Sequence, residues 1–162
     1  MHKTFEETAR FLDQQGFRVI QKDFNRPWGG FFVIDESQAP EFIEMFFDGY
    51  TLEDFTNFSK LSPKILIVAP HKRLSWQYHF RRAEIWRVID GPVGVSISPN
   101  DDEVPSDTYE DNEIIVLPSG RRHRLIGLKT WGIVAEIWQH TEPSDPSDED
   151  DIVRLQDDFG RR

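Results

Sequence analysis

The stretch LSWQYHFRRAEIW, residues 74–86, holds the pattern that decides the fold of this 162-residue chain. Gln77 and His79 are two positions apart, so their side chains share one face if the segment is a β-strand. The five-residue step from His79 to Glu84 breaks that alternation. We therefore predict a tight turn at Phe80–Arg82, which makes Glu84 the beginning of the next strand and turns it inward.

Short apolar segments separated by Pro, Gly, Asn and Asp surround this stretch, and such spacing indicates an antiparallel sandwich or barrel. We predict one mostly β domain over residues 1–162. Its predicted parts are an N-terminal helix and strand (1–23), a short helical insertion (36–60), a core barrel (64–140) and an acidic linker with a C-terminal tail (141–162). The linker TEPSDPSDEDD is polar and contains proline, so we expect it to be mobile.

Composition excludes several kinds of site. The chain has no cysteine, so a metal must be bound by histidine, carboxylate or amide groups. The formal charge of −10 argues against a nucleic-acid partner, and eight acidic residues lie between Glu142 and Asp158 with only Arg154 as a base. With no signal-like apolar core and no apolar run of membrane length, we expect a soluble, cytoplasmic protein with no membrane partner.

A second polar segment, LPSGRRHRL at 117–125, contains turn residues followed by His123. If His123 points inward beside the polar side chains of the first segment, four ligands converge. Two imidazoles, a carboxylate and an amide suit zinc, manganese, iron, cobalt or nickel, and leave one or two positions for substrate or water. The alternative is that each histidine is an ordinary core or surface residue, which is the commoner role of a lone histidine on a strand.

Longer motifs around both segments carry a family resemblance. PHKRLSWQYHFRRAEIWRVIDG (70–91) resembles the first cupin motif, with Gln77 in place of the usual first histidine, and NEIIVLPSGRRHRLIG (112–127) resembles the second. More narrowly, the chain resembles the cupin domain of type II phosphomannose isomerases at RPWG (26–29), at Lys64 and at EDDIVRLQDDFGR (149–161). The resemblance implies a cupin-type double-stranded β-helix, or jelly-roll barrel, with an N-terminal helix and a short helical insertion.

The resemblance also implies a set of site residues. The family's metal ligands fall on Gln77, His79, Glu84 and His123, which implies one divalent ion, zinc first and manganese, cobalt, nickel or iron otherwise. Its basic positions fall on Arg26, Lys64, Arg154 and Arg161, of which we assign Arg161 to catalysis and the others to substrate binding. Its inward glutamate falls on Glu136, our candidate general base. His71 and His140 are less favoured candidates for the same role. Phe80, Arg81 and Ile85 stand where the family usually has histidines, so we place substrate selection there and count Arg81 among the substrate-binding residues.

The activity implied is metal-dependent aldose–ketose isomerisation of a sugar phosphate through an enediol. Mannose 6-phosphate and fructose 6-phosphate are the family's substrates, and a pentose phosphate, a heptose phosphate or a free sugar stays open because the first motif differs. Two alternatives are a non-catalytic module that binds a sugar or sugar nucleotide, and another cupin enzyme such as an epimerase or an iron dioxygenase. The guanylyltransferase often fused to this domain is absent, so we expect no synthesis of nucleotide sugars.

Two expectations concern the assembly of the site. We expect the acidic tail to fold over the mouth of the barrel as a lid, because Arg154 and Arg161 lie within it. We also expect a homodimer, because sheet edges are commonly covered by pairing and the Phe-rich segment EFIEMFF (41–47) offers an apolar surface.

Overall fold

The computed structural model of the protein describes residues 2–58 and 60–161. The helices are α1 (Lys3–Gln14) and α2 (Ala39–Phe46), with 3₁₀ turns at Glu36–Gln38 and Leu52–Phe55. The strands are β1 (Val19–Arg26), β2 (Gly29–Ile34), β3 (Lys64–Val68), β4 (Trp76–Tyr78), β5 (Arg82–Asp90), β6 (Val93–Ser98), β7 (Asp107–Tyr109), β8 (Ile114–Leu117), β9 (Arg122–Gly127), β10 (Gly132–His140) and β11 (Val153–Gln156).

Two antiparallel sheets form the body of the protein. One has six strands in the order β1-β2-β3-β10-β5-β8, and the other has five in the order β11-β4-β9-β6-β7. Alternating side chains from both sheets meet in an apolar core that includes Trp86, Val95, Leu125 and Val134. The mostly β sandwich with an N-terminal helix and a short second helix confirms the fold class predicted from sequence.

A second apolar core lies on the other face of the six-stranded sheet, where the helices pack. Phe5 and Leu12 of α1 and Phe42 of α2 meet Ile65 and Ile137 of the sheet there. The predicted dimer segment is part of this core, because its rings are at most 6% exposed. The segment EFIEMFF therefore packs inside its own chain and does not provide the apolar surface on which the homodimer prediction was based.

The acidic tail is bound to the barrel, in contrast to the mobile linker expected from its composition. Strand β11 pairs with β4, so the sheets extend beyond the predicted core of 64–140. Ser147 and Asp151 are buried, and the Arg82 guanidinium donates hydrogen bonds to Ser147 Oγ (2.9 Å) and to the main-chain oxygen of Asp148 (3.0 Å). The tail is ordered because its polar groups satisfy donors of the barrel that would otherwise be buried without partners.

Across the described ranges, no helix combines the length and the apolar character needed to span a membrane.

Candidate metal centre and anion pocket

Strands β4, β5 and β9 position the polar residues singled out in the sequence. Gln77 of β4 lies directly opposite His123 of β9 in the register of the five-stranded sheet. His79 follows β4, a bend at residues 80 and 81 comes next, and β5 begins at Arg82 and carries Glu84. The bend is thus where the broken alternation predicted it, although it ends one residue earlier.

Three of the predicted ligands converge. Glu84 Oε1 lies 3.2 Å from His79 Nε2 and 3.2 Å from His123 Nε2, and the three donor atoms all lie within 4.8 Å of one another. Each of the three residues is only 2% exposed. Glu84 Oε1 and His123 Nε2 accept no hydrogen bond from any described residue, which is unusual for buried polar atoms and fits a metal-binding role. The cluster can hold a metal ion; the donor set suits several divalent ions.

The outer contacts of both imidazoles suit metal binding as well. His79 Nδ1 lies 2.7 Å from the main-chain oxygen of Asp151, and His123 Nδ1 lies 3.0 Å from that of Arg121. A carbonyl oxygen only accepts hydrogen bonds, so each Nδ1 carries the proton. Each Nε2 faces Glu84 Oε1 at 3.2 Å, an arrangement typical of histidine ligands fixed by outer contacts.

Gln77, the fourth predicted ligand, lies at the edge of the cluster with its amide nitrogen facing inward. Its Nε2 is 3.4 Å from His79 Nε2, while its Oε1 accepts a hydrogen bond from Ser75 Oγ at 2.5 Å. Only the oxygen can bind a metal, so coordination requires the amide to turn over. The Ser75 hydroxyl can also accept a hydrogen bond, and it would satisfy the turned amide nitrogen.

Arg82 is a buried cation beside the cluster that the sequence analysis did not identify. Its Nη2 lies 3.3 Å from His79 Nε2, and its guanidinium stacks 3.6 Å above the Trp138 ring. Burial alone would raise the pKa of Glu84, but Arg82 and the two histidines lower that pKa well below its ordinary value. Burial also lowers the pKa of His79. The cluster is therefore set up as an ionised carboxylate with a neutral imidazole at His79.

Glu136, the candidate base, is buried on β10 next to the cluster. Its two carboxylate oxygens accept hydrogen bonds from the indole nitrogens of Trp86 and Trp138, both at 2.8 Å. Burial and then the charge of Glu84 raise the pKa of Glu136 well above its ordinary value. The sequence indicated this apolar setting from the residues that share a strand face with Glu136. His71 and His140, the less favoured candidates for the base, are not among the described residues that line the pocket around Glu136.

A small pocket of about 80 Å³ lies in front of Glu84 and Glu136. The cationic side chains that line it are Arg26, Lys64, Arg82, Arg154 and Arg161. Burial, followed by repulsion from Arg161, lowers the pKa of Arg154. Crowding of like charges around one cavity favours an anionic ligand.

Two of these cations are held by tail carboxylates. Lys64 Nζ forms an ion pair with Glu149 at 2.8 Å and lies over the rings of Phe31 (4.9 Å) and Trp138 (4.5 Å). Arg161 donates two hydrogen bonds to the carboxylate of Asp157, at 2.8 and 2.9 Å. Glu149, which the sequence analysis did not identify, thus neutralises the most buried of the predicted substrate-binding cations.

The residues assigned to substrate selection do not line the pocket. Arg81 lies on the bend after His79 and faces the tail carboxylates of Asp145 (3.4 Å) and Asp148 (3.7 Å). Phe80 is 63% exposed, and Ile85 points into the helix-facing core because it alternates with Glu84 along β5. The prediction that these positions select the substrate is therefore not supported by where they lie.

Comparison with known proteins identifies the family of this chain. The model of the family described as "Mannose-6-phosphate isomerase C-terminal" matches residues 50–157. The chain belongs to this family. The matched part of this mannose-6-phosphate isomerase C-terminal domain includes the histidine–glutamate–histidine cluster and Glu136, whereas Arg26 and Arg161 lie outside it.

Curated relatives are longer proteins. The chain is 31% identical to xanthan biosynthesis protein XanB of Xanthomonas campestris pv. campestris (strain B100) over 84% of its own length and 23% of that protein. It is 30% identical to alginate biosynthesis protein AlgA of Pseudomonas aeruginosa over 96% of its length and 27% of that protein. It is 27% identical to a mannose-1-phosphate guanylyltransferase of Salmonella montevideo over 93% and 26%. The chain thus spans about a quarter of these relatives.

Solved structures share the cupin fold. The capsular polysaccharide assembling protein CapF of Staphylococcus aureus superposes with a TM-score of 0.59 at 14% identity, over 84% of this chain and 34% of that one. Vicilin of hazelnut, Corylus avellana, superposes with a TM-score of 0.54 at 18% identity, over 81% and 35%. At these identities the likeness concerns the fold alone.

Proposed function

We propose that this chain is a metal-dependent aldose–ketose isomerase of sugar phosphates, with mannose 6-phosphate and fructose 6-phosphate as first substrates. The observation that carries the proposal is a buried carboxylate, Glu136, in one pocket with a cationic wall and with Glu84, the carboxylate of the His79–Glu84–His123 cluster. A base, a metal site and an anion site are the three elements that this reaction requires. The family description supports the choice of sugar.

Glu136 would move the proton. In the proposed reaction its carboxylate accepts the proton from the carbon next to the carbonyl, exchanges it in part with solvent, and gives a proton to the former carbonyl carbon. A second proton moves from the neighbouring hydroxyl oxygen to the former carbonyl oxygen, which completes the conversion of aldose to ketose. Burial raises the pKa of Glu136 and makes it a stronger base, while the indole N–H groups of Trp86 and Trp138 hold both oxygens in place. A metal at the cluster would stabilise negative charge on the sugar oxygens.

The cationic wall would bind the phosphate. Lys64, Arg154 and Arg26 line the pocket, and Arg161, which the sequence analysis assigned to catalysis, lines it as well. Glu149 forms an ion pair with Lys64, so an incoming phosphate would have to replace this carboxylate. We keep zinc as the first candidate ion, with Gln77 as its fourth ligand, and a cytoplasmic homodimer as the expected form.

Two measurements test the proposal. Elemental analysis of the purified protein should find one divalent ion per chain, and sugar phosphates incubated in D₂O should gain deuterium at the carbon next to the carbonyl. Glu136→Gln should retain the metal and lose about 100-fold or more of the exchange rate, whereas Glu44→Gln on the exposed face of α2 should behave as wild type. Bound metal without exchange on any aldose or ketose phosphate would instead support the non-catalytic sugar-binding module.

A further inference from the structure

We infer that Asp151 is a positioning residue that couples docking of the C-terminal segment, residues 147–156, to metal binding at His79. The inference rests on the proposed metal site and concerns a residue that the metal would not touch. It assigns the acidic tail a role inside the metal centre in addition to its contribution to the anion pocket.

The first contact is between the main chain of the tail and the ring of His79. The main-chain oxygen of Asp151 accepts the Nδ1 hydrogen of His79 at 2.7 Å, across 72 residues of sequence. This bond fixes the tautomer and the rotation of the imidazole, and therefore where its Nε2 points. His123 has a local carbonyl for the same purpose, at Arg121, but His79 depends on the tail.

The second contact is made by the carboxylate of the same residue. It is completely buried and accepts hydrogen bonds from the main-chain nitrogens of Phe80 (2.9 Å) and Arg81 (2.9 Å) and from Ser147 Oγ (2.6 Å). Phe80 and Arg81 directly follow His79 in sequence. Asp151 thus holds the ring of His79 with its carbonyl and the backbone after His79 with its side chain.

The consequence is reciprocal coupling. If docking of the segment orients His79 for the metal, then metal binding must stabilise the docked segment by the same factor. Strand β11 belongs to this segment and pairs with β4, which places Arg154 opposite Gln77. Metal binding would therefore also favour the arrangement that brings Arg154 to the anion pocket.

The test compares Asp151→Asn with its exposed neighbour variant Asp150→Asn. An asparagine at 151 keeps one acceptor oxygen but presents an amide donor to the main-chain N–H of either Phe80 or Arg81, so the anchor is weakened while size is kept. Competition with a chromophoric chelator should show zinc affinity lowered by about 10- to 100-fold in Asp151→Asn, and unchanged within about twofold in Asp150→Asn. Ser147→Ala, which removes one of the three donors, should lower affinity in the same direction by a smaller factor and serves if Asp151→Asn does not fold.

Two further readouts separate positioning from general destabilisation. Zinc should slow amide hydrogen exchange at Val153–Gln156 in the wild type and lose this effect in Asp151→Asn, with exchange in β6 unchanged. Long-range ¹H–¹⁵N spectra of the metal-free protein should assign the proton of His79 to Nδ1 in the wild type and to both nitrogens in the variant. Equal zinc affinity and an unchanged His79 tautomer in the variant would overturn the inference. Failure of the wild type to bind zinc would refute the proposed metal site, while the tautomer comparison would still decide the role of Asp151.

Discussion

His140 provides a quantitative prediction about stability and pH. The residue is 1% exposed, and its Nδ1 accepts the main-chain N–H of Ser147 at 3.0 Å, so Nδ1 carries no proton. Its Nε2 then carries the hydrogen and donates it to Ser62 Oγ at 3.0 Å. Burial, helped by the charges of Lys60 and Arg82, lowers the pKa of His140 from 6.5 to about 4. Folding therefore requires this imidazole to be neutral.

The magnitude follows from the difference between the two pKa values. The unfolded chain binds the proton near pH 6.5 and the folded chain only near pH 4, so acidification favours unfolding across that window. A difference of about 2.5 pKa units corresponds to about 3 kcal/mol of stability, which is fully present above pH 6.5 and fully lost below pH 4. Protonation would also place an N–H donor at His140 Nδ1 opposite the main-chain N–H of Ser147, and two donors repel. The tail should therefore detach before the rest of the protein unfolds.

The assay compares the wild type with His140→Asn, whose amide oxygen can accept the Ser147 N–H but cannot titrate. Urea unfolding at pH 7 and pH 4 gives the free energy of unfolding of both proteins. Carboxylates titrate in the same range in both, so the difference between the proteins isolates residue 140. The wild type should lose about 3 kcal/mol more than the variant on acidification. If acidification lowers the free energy of unfolding of the wild type and the variant by the same amount, the assignment of a neutral, tail-bonded histidine is refuted.

The remaining predictions concern the pocket and the helix-facing core. Glu149→Gln should tighten binding of inorganic phosphate several-fold by calorimetry, because Lys64 loses its ion pair. Glu84→Gln should lower zinc affinity by more than tenfold in chelator competition, because the charged ligand between the two imidazoles is lost. Phe42→Ala should lower the free energy of unfolding by about 3–5 kcal/mol, because the ring is fully buried.

Matched variants make these three outcomes decisive. Asp150→Asn removes an equal charge from the tail without touching Lys64. If Asp150→Asn and Glu149→Gln gain phosphate affinity equally, the Glu149 prediction is contradicted. Met45→Ala changes the same helix at a residue that is 40% exposed, and it should cost far less than Phe42→Ala. Glu84→Gln with wild-type zinc affinity would remove Glu84 from the ligand set.

Local alternation explains how much of the site could be predicted from sequence. Period-two patterning and one broken step were enough to bring His79, Glu84 and the bend between them into register. Arg82 was missed because the bend was extended through it, although it lies two residues before Glu84 and so shares its face. The same alternation predicts that the side chain of Ile85 points away from the pocket, because Ile85 directly follows Glu84 on the strand.

Contacts distant in sequence account for what was missed. The acidic tail has the composition of a mobile segment, and nothing local indicates that its carbonyls meet a buried guanidinium at Arg82. Likewise, the rings of EFIEMFF do not reveal whether they cover their own sheet or another chain. Such outcomes depend on which groups of the barrel lack partners, and this is known only once the barrel is built.

The bond between His79 and the main chain of Asp151 sets an order of events during synthesis. The ribosome must add 72 residues after His79 before its partner exists, which takes roughly 4 to 14 seconds at about 5–20 residues per second. A nascent chain that has passed His123 but has not reached Asp151 carries both imidazoles and the glutamate but lacks the carbonyl that orients one ring. Metal acquired so early would bind a site with one ligand still free to rotate. Correct loading of the proposed metal site would therefore follow translation of the tail.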